Sequence, residues 1–208
     1  MPRIDDYITA RALARERLAA EPYDILLKRS GFEPEGGRAF HIRFLNRTFQ
    51  LTYPDFEFRD VAVSGKDVPI QEQILILHYL QADLPEQPRG DWVAYREIPG
   101  AAFYFAAFVN RAIEPLKKAF GQNIAGLRRA AARLNGVAVE FGDAGFDFHV
   151  FPRVPVRLIL HAGDDEFPAE ATILFDRSIE RMLSPEDIAW LAGMVVYRLI
   201  GLSREMPS

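Results

Sequence analysis

Residues 161–168 read H-A-G-D-D-E-F-P and bring His161, Asp164, Asp165 and Glu166 close together in the chain. Imidazole and carboxylate are the donors of hard-cation sites and of 2-His-1-carboxylate iron sites. These four residues are therefore the candidate metal ligands. A divalent ion held there would activate water or polarise a substrate, which would make the protein a metal-dependent enzyme. The spacing argues the other way. Consecutive side chains on an extended chain diverge. A calcium loop places its acids at alternate positions and needs a glycine at its sixth, and this stretch has neither. The competing expectation is a solvated turn between two strands, running from Gly163 to Pro168.

The second stretch is W-V-A-Y-R-E-I-P-G-A-A-F-Y-F, residues 92–105. Aromatic rings and one arginine ahead of a helix start can hold a flat anionic ligand. The candidate ligand-binding residues are Trp92, Tyr95, Arg96, Glu97 and Tyr104. The alternative is that these rings are core and the arginine is salt-bridged. His149 shares a strand face with Asp147, the arrangement of a carboxylate-oriented histidine, or else marks a polar outer face. His78 lies in an apolar helix, where a hydrogen-bonded core histidine is the simpler reading. No G-x-G-x-x-G, P-loop, G-x-S-x-G or H-E-x-x-H pattern occurs.

The elements that must position these groups read as follows. Segments 3–20 and 22–31 are helices, the second opened by Pro22 and closed by Gly31. Residues 40–53 form a hairpin. With Asn46-Arg47 as its turn, Phe40, Ile42, Phe44, Phe49, Leu51 and Tyr53 share one face and His41, Arg43, Thr48, Gln50 and Thr52 the other. A further strand falls in 56–63. Segment 67–82 is a buried helix capped by Asp67. Residues 83–91 are a loop and 92–97 a short strand. Segment 101–120 is helical with a kink or restart at Pro115, and 122–134 is a helix. Strands fall at 137–141, 145–151, 156–161 and 171–175. Ser184-Pro185-Glu186-Asp187 opens the last helix as a variant capping box, and Gly201 ends it. Strands in two groups with helices between them make an α+β fold of antiparallel sheet packed with several α-helices, expected as one compact domain over 1–208.

The totals narrow the function classes. The chain has 208 residues, 49% hydrophobic and 26% charged, as in ordinary globular proteins. Its net charge of −4 argues against nucleic acid as a partner. It has no cysteine, which excludes disulfides, a thiol nucleophile, sulfur-ligated zinc and a cysteine-bound iron–sulfur cluster within this chain. The start M-P-R-I-D-D-Y lacks the apolar core of a signal peptide, and no apolar run is long enough to span a bilayer. No membrane association and a cytoplasmic location are the expectations.

Four blocks together carry a resemblance: I-L-I-L-H-Y-L, W-V-A-Y-R-E-I-P-G-A-A-F-Y, V-P-V-R-L-I-L-H-A-G-D-D-E-F-P-A-E-A-T-I-L-F-D and L-S-P-E-D-I-A-W-L. Over roughly residues 20–200 the chain resembles an uncharacterised prokaryotic family known only as a domain of unknown function. The resemblance implies a setting in anaerobic bacteria and archaea, where some relatives are joined to cysteine-rich iron–sulfur modules. No such module carries over to a chain without cysteine. The resemblance transfers no activity and no catalytic residue and leaves the cofactor open, and it draws attention to Arg96, Glu97, Asp164, Asp165, Glu166 and Asp176. The functional expectation is a non-catalytic cytoplasmic accessory protein that binds a small anionic ligand or cofactor in an aromatic-lined pocket. The alternatives are a protein-interaction or self-associating module, including a homodimer, and the metal-dependent enzyme.

Overall fold

Apolar and polar residues alternate from Ala39 to Thr52, and that alternation builds the first of two antiparallel sheets. The computed structural model describes residues 4–63, 65, 67–82 and 87–205. Its chain contacts divide into two units, Met1–Gln87 with Arg181–Leu183, and Pro88–Glu180 with Ser184–Ser208. The fold is α+β.

The first unit holds α1 (Ile4–Ala19), α2 (Tyr23–Ser30), β1 (Glu33–Glu35), β2 (Ala39–Phe44), β3 (Arg47–Thr52), β4 (Phe58–Asp60) and α3 (Ile70–Gln81). Its four strands lie in the order β1-β2-β3-β4. Phe40, Ile42, Phe44, Phe49 and Leu51 are all buried on one face, as the alternation requires. The turn itself is Leu45-Asn46 rather than Asn46-Arg47, with Phe44 opposite Arg47 and Ile42 opposite Phe49. Leu45 takes a positive φ of 55°, a conformation that leucine seldom adopts. Moving a turn by one position changes each partner by two residues, and a shift of two keeps every side chain on its own face.

Arg47 supplies the physical reason for this register. As a strand residue its guanidinium donates to Asp60 Oδ2 at 2.6 and 3.1 Å and to Glu72 Oε2 at 2.9 Å. It lies 4.7 Å from the centre of the Phe49 ring. This one half-buried cation joins β3, β4 and α3. Burial pushes the Asp60 carboxyl up, but Arg47 and the N–H groups of Ala62 and Val63 outweigh it, so its pKa falls below the ordinary value. Helix α3 begins at Ile70 with Pro69 at its cap position, so Asp67 is not the cap. It is buried nearly all round, and Tyr79 Oη donates to Ser30 O at 2.7 Å.

The second unit holds β5 (Trp92–Ala94), α4 (Phe105–Phe108), α5 (Glu114–Phe120), α6 (Ile124–Arg133), β6 (Val137–Val139), β7 (Ala144–Phe151), β8 (Val154–His161), β9 (Glu170–Asp176) and α7 (Pro185–Arg204). Its strands lie in the order β5-β9-β8-β7-β6. Phe146, Phe148, Leu158, Leu160, Ile173 and Phe175 are buried on the face that carries the helices. The segment 101–120 is helical throughout and restarts at Glu114, with Pro115 in the first turn of α5. A 3₁₀ turn at Ala101–Tyr104 leads to α4, a π turn at Val109–Ile113, and then α5. The irregularity thus precedes Pro115. Gly193 of α7 faces the π turn, where a Cβ would lie 3.3 Å from Arg111 O. Ser184 Oγ accepts from Asp187 N and Asp187 Oδ2 accepts from Ser184 N, the reciprocal cap expected of this start. Helix α7 continues past Gly201 to Arg204. Among the described residues no helix is long and apolar enough to cross a membrane.

Arg47→Ala removes the cation from the buried carboxylates of Asp60 and Glu72, and is expected to cost about 3–5 kcal/mol in urea unfolding at pH 7. The sign with pH follows from the lowered Asp60 pKa. The stability it contributes is present above its unfolded value of 3.8 and is lost as pH falls through the lower folded value. The wild type should therefore lose stability below about pH 4, and Arg47→Ala should lose less of it.

Candidate functional site

A one-sided antiparallel sheet turns a polar face to water, and the first sheet does so with His41, Arg43, Thr48 and Gln50. The second sheet turns out a mixed face, with His149, His161, Glu170 and Thr172 exposed on it beside apolar side chains. Strand alternation aims Trp92, Ala94, Val137, Val139, Ile159 and Leu174 away from the helices. All six remain at least partly exposed, Val137 to 61%. Phe141, just beyond β6, is 49% exposed.

At the centre of this outward face Asp147 of β7 sits directly opposite Arg157 of β8. The pair is bidentate, Nε to Oδ1 and Nη2 to Oδ2, both at 2.7 Å. The guanidinium carbon lies 4.2 Å from the Trp92 ring centre and 5.0 Å from that of Phe141. Hydrogen bonding to Asp147 raises the pKa of Arg157 further. The side chains are only 15% and 19% exposed. A fork geometry with both charges hydrogen-bonded and the cation stacked on rings is the form in which a charge loses little more on further drying. Asp147 therefore serves Arg157 across the strands, although the sequence pairs it as readily with His149 on its own strand. His149 is exposed. His78 is half-buried on α3.

The five candidate ligand residues fall into separate surroundings. Trp92 lies on the outward face against Arg157. Tyr95 is 1% exposed, stacked on Phe108 at 4.2 Å, and donates from its hydroxyl to Pro185 O at 2.7 Å. Burial pushes its phenol up to about 12. Arg96 is exposed and stacks on Phe105 at 3.8 Å. Glu97 accepts the Ala94 N–H at 2.7 Å. Tyr104 meets Glu186, whose carboxylate raises its pKa. Trp92 and Tyr95 thus lie on opposite sides of the chain, one on the outward face and one in the core.

His161 ends β8, and Asp164, Asp165 and Glu166 lie in the loop that follows it. Among the described residues no three His, Asp or Glu side chains are placed to hold a metal ion. Asp164 instead builds a turn. Its Oδ1 accepts from Glu166 N at 2.9 Å and Phe167 N at 2.7 Å, and its own N–H donates to Phe167 O. Those N–H groups hold the Asp164 carboxyl below its ordinary pKa. The base of the turn is anchored by Gly163 N to Gly121 O and Gln122 Nε2 to Gly163 O. Only glycine fits there, since a Cβ at 163 would lie 2.7 Å from Ala169 N.

Asp176, from the same family-like block, is 1% exposed and structural. Burial pushes its carboxyl up, but the Ser178 hydroxyl at 2.5 Å and the N–H groups of Ser178, Gly90 and Arg89 together lower it. It ties the loop before β5 to the end of β9. Sequence reasoning also missed a cavity of about 430 Å³ in the first unit, lined by Arg11, Glu57, Phe58, Asp67 and Gln73 among others. Its polar wall is internally bonded, with Arg11 on Gln73 and Arg15 on Glu57.

Comparison with known proteins gives one match. The family model described as a domain of unknown function, DUF3786, covers residues 24–198. No curated protein matches the chain, and no solved structure does.

Two measurements check the assignments of the acids. In hydrogen exchange, Asp164→Ala should speed exchange of the Phe167 amide, while Asp165→Asn leaves it unchanged. Asp176→Ala strands buried N–H donors and is expected to cost about 2–3 kcal/mol in urea unfolding.

Proposed function

The chain belongs to the DUF3786 family of unknown function, and from that premise we propose that it is a non-catalytic protein-interaction module whose contact surface is the outward face of the five-stranded sheet. One observation carries this reading. That face gathers apolar side chains around the hydrogen-bonded Asp147–Arg157 pair, with His149, His161, Glu170 and Thr172 also exposed on it, whereas the first sheet of the same chain exposes His41, Arg43, Thr48 and Gln50. Aromatic and arginine residues with little free charge at the centre are the composition of an interface core. A small-molecule site is concave, and the rings expected to line one are divided between core and surface. The accessory role and cytoplasmic setting belong to this same reading.

The absence of cysteine makes the test simple. Thr172, exposed on the outward face, is replaced by cysteine, and its alkylation rate is compared in dilute purified protein and in native cell extract. Arg129→Cys, on an exposed position of α6, is the control. The thiol at 172 should be shielded several-fold in extract while that at 129 is not. Equal rates at both positions in both settings would contradict a contact surface there.

A further inference from the structure

We propose that the occupant of this face is a second copy of the same chain, docked sheet against sheet. The proposal rests on the reading of the face as a contact surface and adds what covers it.

Charge distribution is the first argument. The chain carries a net charge of −4, so two copies repel wherever acidic surfaces approach. The outward face avoids this. At its centre Asp147 and Arg157 cancel within hydrogen-bonding distance. The remaining titratable groups of the outward positions lie at its ends, His149 and the buried Asp176 at one and His161 opposite Glu170 at the other. Two such centres meet without a like-charge contact, and neither exposes an unmatched charge with which to select an oppositely charged partner. A surface that is apolar and neutral within itself complements its own copy, and twofold pairing of identical patches is the commonest form of protein assembly.

Area is the second argument. Five strands about 4.8 Å apart and a longest strand of eight residues at about 3.3 Å each give a face of roughly 20 by 25 Å. Two such faces bury on the order of 1,000 Å² in total, the lower limit for a specific interface. The geometry thus predicts a reversible dimer rather than a permanent one. The ring contacts of Trp92 and Phe141 with Arg157 give the surface a fixed relief, so little side-chain freedom is lost on docking.

Sedimentation velocity of the full chain from about 1 to about 100 μM tests the proposal. The wild type should pass from a monomer mass of 23.6 kDa towards twice that value. Ile159→Arg, on the outward face, should remain monomeric with an unchanged circular dichroism spectrum and melting temperature. Arg129→Glu should dimerise as the wild type does. Should Ile159→Arg fail to fold, the Thr172→Cys protein gives the same answer, because its alkylation must slow several-fold across that concentration range. A wild type that stays monomeric, a dimer that Ile159→Arg leaves intact, or an alkylation rate independent of concentration would each overturn the second copy. A monomer whose residue 172 is nevertheless shielded in extract overturns only the identity of the partner. A monomer unshielded in both settings removes the contact surface as well.

Discussion

The Asp147–Arg157 pair is the constraint around which the second unit is arranged. An arginine in mid-strand must either reach water or be satisfied where it stands. Here the cross-strand register places a carboxylate directly opposite it, and β5 and the segment after β6 bring Trp92 and Phe141 to it. Neutralising the charge in place lets Val139, Ile159 and Leu174 surround it without an exposed ion among them. Were the pair absent, this face would be either polar and wet or apolar and featureless. With it, the face is apolar at the centre, fixed in relief and neutral.

The first unit solves the same problem with the opposite result. Arg47 is also stacked on a ring and paired with two carboxylates, but it points into the unit and ties β3, β4 and α3 together. The polar side chains of that sheet go to solvent. Two sheets in one chain thus use a half-buried arginine differently, one to close a core and the other to prepare a surface. The acids that look most like chemistry in the sequence, Asp164 and Asp176, accept backbone N–H groups and shape loops.

What the sequence made legible follows from which interactions are local. Period-two alternation placed the inward face of the first hairpin, and the Ser184–Asp187 cap marked the start of α7, because both patterns act over a few residues. The turn at Leu45-Asn46 was hidden because the competing position differs by one residue and preserves every face. It was decided by Asp60 and Glu72, far away in the chain. The π turn ahead of Pro115 depends on the close approach of Gly193, again from a distant segment. For the candidate site the residue types were legible and their partners were not. Asp147 was visible beside His149, yet its partner Arg157 lies on the next strand, and Trp92 separates from Tyr95 because β5 presents them to opposite sides.

In the proposed dimer the outward face of the second sheet is covered by its own copy. Solvent paramagnetic relaxation, measured by NMR on the methyl groups of Val139, Ile159 and Leu174 with a soluble gadolinium probe, tests it most directly. The account predicts strong relaxation of all three in dilute protein and its suppression at high concentration, while the methyl groups of the exposed Ile25 in α2 stay accessible throughout. Equal relaxation of the three methyl-bearing residues at every concentration would contradict it.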